Sequence, residues 1–321
     1  MNDVSRRDFV TTAAAACSVI ATTHANAAAP QSSKQGPGVY RFRLGSFELT
    51  ALYDGTWFRK IDGAFVRNAT SAQVDRALTS AFLQPGIVPT SFTPLLVNTG
   101  TRLILIDAGT QGQLAPTAGF LNESFAAAGI DPKAIDLILI SHFHPDHING
   151  IKDQDGKRLF PNAEIFVPEP EWAYWMDDAN LSKAPANGRA PFLNTRRIFG
   201  DIASDINRYT PGKELAPGIT SIAAFGHTPG HTAFAINSQS HALLVLSDTT
   251  NHPWLFARHP EWQGMFDVDG KQAVATRRRL LDRAVVEKML VTGYHFPFPA
   301  TGHIVRAGAG YDFVPVMWQP L

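Results

Sequence analysis

Residues 141–150 read "SHFHPDHING". Three histidines and an aspartate fall within positions 142–147, with Pro145 among them. The segment follows "IDLILIS" (135–141), a short, continuously apolar run that reads as a buried strand. Pro145 forbids a regular helix through this stretch, so the side chains are expected to converge from a loop. In an extended or turning segment His142 and His144 lie on one side and grip one ion, while Asp146 and His147 project towards a second point. Imidazole and carboxylate donors without thiolate favour zinc, with manganese, iron or cobalt as substitutes.

Further candidate ligands stand at the ends of apolar runs downstream. "FGHTPGH" (225–231) offers His227 and His231. Pro229 and Gly230 prevent a helix between them, so the two point different ways; one binds metal and the other supports it from behind. The residues alone do not decide which. "LLVLSD" ends in Asp248, a carboxylate able to bridge two ions, and "MLVTGYHFPFPATGH" offers His295 and His303. His295 directly follows its strand, where the other ligands also emerge, and is preferred for that reason.

Composition bounds the rest. The chain has 321 residues, 45% hydrophobic, with Lys+Arg and Asp+Glu balanced at 28 each. That balance, with no basic cluster interleaved with aromatics, argues against a nucleic-acid partner. "SRRDFVTTAAAACSVIATTHANA" (5–27) pairs Arg6 and Arg7 with an Ala-rich apolar stretch and ends in Ala-Asn-Ala. This is the pattern of a twin-arginine-type export signal over 1–27, cleaved near Ala27, and it implies a periplasmic or secreted protein. Residues 28–35 then form a flexible lead-in. The one cysteine, Cys17, lies inside the signal, so the mature chain has neither disulfides nor thiolate ligands. No later stretch is long and apolar enough to span a bilayer, and no stable membrane anchor is expected.

Along the mature chain, 40–55 reads as a strand pair around Gly45, and 93–109 as a hairpin turning at Asn98-Thr99-Gly100. A helix over about 118–129 ends at Gly129. Strands are expected at 163–168, in three runs across 218–248, and at 289–295. A helix carries Trp172 and Trp175, and a long one covers 271–289, with Val274, Leu281, Val285 and Met289 on one face. With no repeat and no linker, 36–321 reads as one α/β domain in which helices cover two sheets.

His142-x-His144-x-Asp146-His147, a histidine in "GHTPGHT", Asp248 and a late histidine together resemble the metallo-β-lactamase superfamily. The likeness is nearest to its methyl parathion hydrolase branch, through "GSFELTALYDGT", "HPDH", "FPNAE", "GHTPGHTAF" and "HFPFPATGHI…GYDFVPV". It implies an αββα four-layer sandwich with mixed sheets and a dinuclear zinc site. By that resemblance one ion is held by His142, His144 and His231, with His227 left in support. The second is held by Asp146, His147 and His295, and Asp248 and a hydroxide bridge the pair. Asp107 of "LIDAG" would brace the site from behind. The implied chemistry is attack of the shared hydroxide on a carbonyl carbon or phosphorus, with Asp248 holding the ions and Asp146 passing a proton to the leaving group.

The superfamily opens thioesters, lactones, β-lactams, phosphotriesters and RNA, so fold alone does not choose. Its β-lactamases usually carry cysteine or serine where Asp248 stands, which argues against that activity. In organophosphate-hydrolysing relatives an apolar leaving-group pocket is matched here by Trp175 and Phe192, which ordinary core packing also explains. Leu114 replaces an aromatic of those relatives. The expected substrate is a small neutral ester or lactone, with organophosphate triesters and acyl-homoserine lactones as alternatives. A mononuclear iron sulfur dioxygenase is the alternative from another class. Aromatics near 57–64 and 254–266 are candidates for a homodimer surface or a lid.

Overall fold

Alternation along the short strands sorts their side chains into layers. In the strand Leu103–Ile106, Leu105 faces one way while Ile104 and Ile106 face the other; Ile138 is flanked likewise by Leu137 and Leu139. All are buried, as a strand covered on both faces requires. The computed structural model describes residues 31–32 and 35–321, and Pro37–Leu321 form one unit. The export signal expected over 1–27 lies outside the described residues, as does most of the lead-in.

Two seven-stranded mixed sheets carry the unit. The first runs, in spatial order, Val39–Leu44, Phe47–Leu52, Leu95–Asn98, Leu103–Ile106, Leu137–Leu139, Glu164–Pro168 and Ile206–Tyr209. Its last three pairings are parallel. The second runs Glu214–Ala216, Ile219–Ala223, Thr232–Ser238, His241–Ser247, Leu290–Gly293, Thr301–Ala307 and Gly310–Pro315, with one parallel pairing, between His241–Ser247 and Leu290–Gly293. Leu49, Val97, Ile104 and Leu139 of the first sheet meet Phe234, Ile236, Leu243 and Val245 of the second in the central core. The outer face of the first sheet packs on helices Leu121–Ala128, Glu169–Trp175 and Ala190–Phe199. The outer face of the second packs on helix Gly270–Val286. The result is the αββα sandwich.

Two local expectations are corrected, and one region without a sequence reading takes regular structure. Pro145 does not exclude a helix: it opens the turn Pro145–Ile148 at its first position, where its missing N–H costs nothing and its fixed φ suits the helix. The inner face of Gly270–Val286 runs through Ala273, Thr276, Arg277, Leu280, Leu281 and Ala284, while Val274 and Val285 are only half-buried. Between 55 and 92 the chain folds into a separate hairpin, Gly55–Lys60 paired with Ile87–Phe92, and a helix, Ser71–Ser80, closed by a Thr70/Gln73 capping box. Among the described residues no helix is long and apolar enough to cross a membrane.

Candidate metal centre

Each candidate ligand leaves the sandwich at a strand end. His142, His144, Asp146 and His147 follow Leu137–Leu139, His227 follows Ile219–Ala223, Asp248 follows His241–Ser247, and His295 follows Leu290–Gly293. The loops are drawn together by close backbone approach. A Cβ on Gly150 would lie 1.7 Å from the Ala108 carbonyl oxygen, and one on Gly230 would lie 2.4 Å from the Glu171 nitrogen. Only glycine permits either contact.

Two groups of donor atoms result: His142, His144, His227 and Asp248, and Asp146, His147 and His295. Within each group the donor atoms lie within 4.8 Å of one another. Nε2 of His142 and Nε2 of His227 both stand 3.0 Å from Nδ1 of His144. Asp248 joins the groups, with Oδ1 3.2 Å from His147 Nε2, and Oδ2 2.9 Å from His295 Nε2 and 3.3 Å from His227 Nε2. Asp146 Oδ2 lies 3.3 Å from His147 Nε2 and 3.4 Å from His295 Nε2.

The outward nitrogens show which lone pairs point inward. His147 Nδ1 donates to Asp107 Oδ2 (2.8 Å), His295 Nδ1 to the Ser91 carbonyl (2.8 Å), and His227 Nδ1 to Asp267 Oδ1 (3.0 Å). Ser141 Oγ donates to Asp107, so His142 Nδ1 donates to Ser141 Oγ at 3.0 Å. Protons on the outer nitrogens turn the inner ones towards other imidazoles or towards Asp146 and Asp248, an arrangement suited to cations. His147 Nε2 and Asp248 Oδ1 are buried without a hydrogen-bond partner, which fits the same reading.

His231, expected as a ligand, is not in either group. Its Nδ1 donates to the Ala224 carbonyl (2.9 Å) and its Nε2 accepts the Asp248 backbone N–H (3.0 Å), so both nitrogens are used inside the protein. His227 stands in the first donor group, and His231 is bonded to the backbone of Asp248 with its ring 5.0 Å from that of His142. His303 is exposed on Thr301–Ala307, away from both groups. Asp107 stands behind His147 as expected, and also receives the Ser141 backbone N–H (2.8 Å). It and Ser247 adopt left-handed φ values of 61° and 46°. Non-glycine residues accept this strain only where surrounding contacts hold them, and here Ser247 Oγ donates to Ser141 Oγ (2.8 Å). Trp175 and Phe192 lie together, ring centroids 4.7 Å apart, but both are buried in the outer core; Trp175 comes within 6.3 Å of the His144 ring.

Burial is the leading influence on the imidazoles. It pushes His144 down to about 3 and His142 well below its ordinary value, helped by neighbouring histidines, so both are neutral and able to donate lone pairs. For His147 burial works the same way but is outweighed by Asp146, Asp107 and Asp248, and the net shift is upward. Burial would raise Asp248, yet His295 and His147 hold it well below the usual carboxylate range.

Two buried supports carry no recognisable sequence pattern. Asp267 orients His227 and is itself approached by the buried Arg277 at 3.7 Å. Arg277 also donates to the carbonyl of Thr249, next to Asp248. Glu171 accepts the Phe143 backbone N–H (3.0 Å), the Gly230 backbone N–H (2.6 Å) and the Trp175 indole N–H (2.7 Å). One fully buried carboxylate thereby ties the 142–144 segment to the 227–231 segment.

Comparison with known proteins places this geometry in context. The model of the family described as the metallo-beta-lactamase superfamily matches residues 93–293. The chain is 23% identical over 244 residues to an N-acyl homoserine lactonase from Bacillus sp, covering 70% of this chain and 88% of that protein. It is 28% identical over 177 residues to N-acyl homoserine lactonase AttM from Azorhizobium caulinodans, covering 52% of this chain and 61% of that one. Among solved structures, the hydrolase AbOPH in the beta lactamase superfamily superposes with a TM-score of 0.83 at 29% identity. AidC, a dizinc quorum-quenching lactonase in complex with a product, gives the same TM-score at 28% identity. Each covers 89% of this chain and 100% of its own.

Proposed function

Because the chain belongs to the metallo-beta-lactamase superfamily, we propose that it is a dinuclear zinc hydrolase that opens lactones and small esters. The observation carrying this reading is Asp248, a carboxylate lying between two clusters of inward-facing imidazoles. His142, His144 and His227 would hold one ion and Asp146, His147 and His295 the other, with Asp248 shared. Two such ions, when bound, supply a water activated near neutral pH and a Lewis acid for the substrate oxygen. The chain's own residues do the rest. Asp107, Ser141, Asp267 and Ser91 fix the rings so that the inward donors need no reorganisation. Tyr294 donates to the Asp146 carbonyl (2.7 Å) and holds the turn that carries two of the ligands. Asp146 is the most solvent-reachable of the second group and is placed to return a proton to the leaving alkoxide.

Lactones are favoured over phosphotriesters by the named activity of the curated relatives and of AidC. The same reading includes export by the twin-arginine route, from Arg6, Arg7 and the Ala-Asn-Ala site. Metal counting on purified protein, with a panel of acyl-homoserine lactones, dihydrocoumarin, aryl acetates and paraoxon-type triesters, is the test. Two zinc per chain and fastest turnover on lactones is the expected result. A single iron, or triester turnover without lactone opening, overturns it.

A further inference from the structure

The hairpin over the second ligand group carries a cation, Arg59, that makes no ion pair with the metal centre and feels Asp146 only from a distance. Register pairs Gly55, Trp57 and Arg59 with Phe92, Thr90 and Val88, so these six share one face of the hairpin. At one end of that face the Phe92 ring lies 5.5 Å from the His295 ring. Trp57 packs in a cluster with Phe92, Leu114, Ala115, Ala118 and Tyr294, and the Tyr294 ring is 4.0 Å from that of His147. At the other end Arg59 leans over Trp57, its guanidinium carbon 4.9 Å from that ring's centroid and 4.6 Å from that of Phe266.

Arg59 is half-buried, and among the described residues no carboxylate lies within 4 Å of it. Among the described residues its one side-chain hydrogen bond is to the sulfur of Met265, at 3.3 Å. Asp62, the nearest carboxylate in sequence, accepts the Ala64 backbone N–H and acts on Arg59 only from beyond ion-pair distance. Ring faces thus fix the guanidinium in place while most of its five N–H groups lack a strong acceptor. Four residues of strand separate Val88 from Phe92, about 13 Å; because the side chain leans back, the guanidinium stands on the order of 10 Å from the imidazoles.

Resting on the hydrolase reading above, we propose that Arg59 is a specificity-determining residue that grips a carboxylate carried on the acyl side of the substrate, remote from the scissile bond. The preferred ester or lactone is then one with an anionic acyl terminus, where the resemblance suggested a neutral one. A fixed, planar fork matches a carboxylate bidentately and loses little freedom on binding it.

The test uses the zinc-loaded full chain and p-nitrophenyl half-esters of a graded series of dicarboxylic acids, glutaric to sebacic. Each is compared with the p-nitrophenyl alkanoate of the same length. In the wild type the ratio of kcat/KM, half-ester over alkanoate, peaks at one chain length, by about tenfold and mainly through KM, as expected for a charge-assisted pair. R59M flattens the peak and R59K retains part of it, with zinc content and Tm confirming that each variant folds. A ratio that is flat in the wild type, or that peaks equally in R59M, overturns the assignment of Arg59 while alkanoate hydrolysis still stands. Inhibition of both series by short diacids in every variant would mean chelation and likewise overturn it. A zinc-loaded wild type that cleaves neither series overturns the hydrolase reading itself, and this inference with it.

Discussion

Replacing His231 and His227 separately by alanine separates the two histidines of "GHTPGH" by what each is bonded to. His231 is fully buried, with one nitrogen on the Ala224 carbonyl and the other on the Asp248 N–H. Its truncation leaves two buried backbone groups unpaired, at about 1–3 kcal/mol each, so H231A should lose about 4 kcal/mol of stability. In a chain of this size that lowers Tm by roughly 10 °C. Its donor set is intact, so H231A should retain two zinc per chain after dialysis. H227A removes a nitrogen that faces His144 Nδ1 at 3.0 Å and should drop to one zinc, while the metal-free protein loses about 1–3 kcal/mol because buried Asp267 Oδ1 is left without its donor. Elemental analysis after dialysis, paired with thermal unfolding of metal-free protein, reads both effects. One zinc in H231A and two in H227A would refute the inward assignment of His227.

Asp267→Asn keeps the shape behind His227 but replaces the accepting carboxylate oxygens. It should weaken zinc by about 10–100-fold in a chelator competition, with the fold retained. Asp54 is buried and accepts the Thr110 and Leu121 backbone N–H groups, and burial raises it to about 6. Between its unfolded value of 3.8 and about 6 the folded chain binds the extra proton, so stability falls as pH rises through that window and then levels off. The loss is on the order of 3 kcal/mol, and urea titrations should show this slope in the wild type and not in D54N. On the proposed zinc reading, with binding confined to the folded form, a thousandfold excess of zinc over its Kd should raise stability by about 4 kcal/mol, and EDTA should reverse the Tm gain. An unchanged Tm across zinc and EDTA would count against a site within the fold.

Strands with a clean apolar run or alternation were legible in the sequence. "IDLILIS", "HALLVLSD" and the hairpin at 93–109 fold as read, and Gly129 closes its helix in the left-handed conformation. The hairpin Gly55–Lys60/Ile87–Phe92 was not, because its partners are separated by a helix and its outer face carries exposed Phe58 and Lys60. Val274 and Val285 misled because burial on the long helix follows what faces it. Arg277 is turned inward there to reach the carbonyls of Thr249, Pro260 and Trp262. Pro145 misled because a rule about helix interiors was applied to a helix start.

The placement of His227 in the donor group and of His231 on the Asp248 backbone has a different cause, which lies in how the two sheets dock. The first donor group takes His142 and His144 from a strand end of one sheet and His227 and Asp248 from strand ends of the other. The second takes Asp146 and His147 from the first sheet and His295 from the second. Neither sheet owns a complete set, so the direction in which a histidine points depends on how the sheets dock. His231 immediately precedes the strand Thr232–Ser238 and is drawn to the Ala224 carbonyl at the end of the neighbouring strand, as a ladder neighbour. His227 lies further out in the loop, beyond that ladder, and swings across to the first sheet's histidines. Glu171 makes the crossing specific, since its single carboxylate accepts N–H groups from both histidine segments. A spacing rule such as His-x-x-x-His holds both candidates equally, and only inter-sheet contacts of this kind decide which of them faces the other donors.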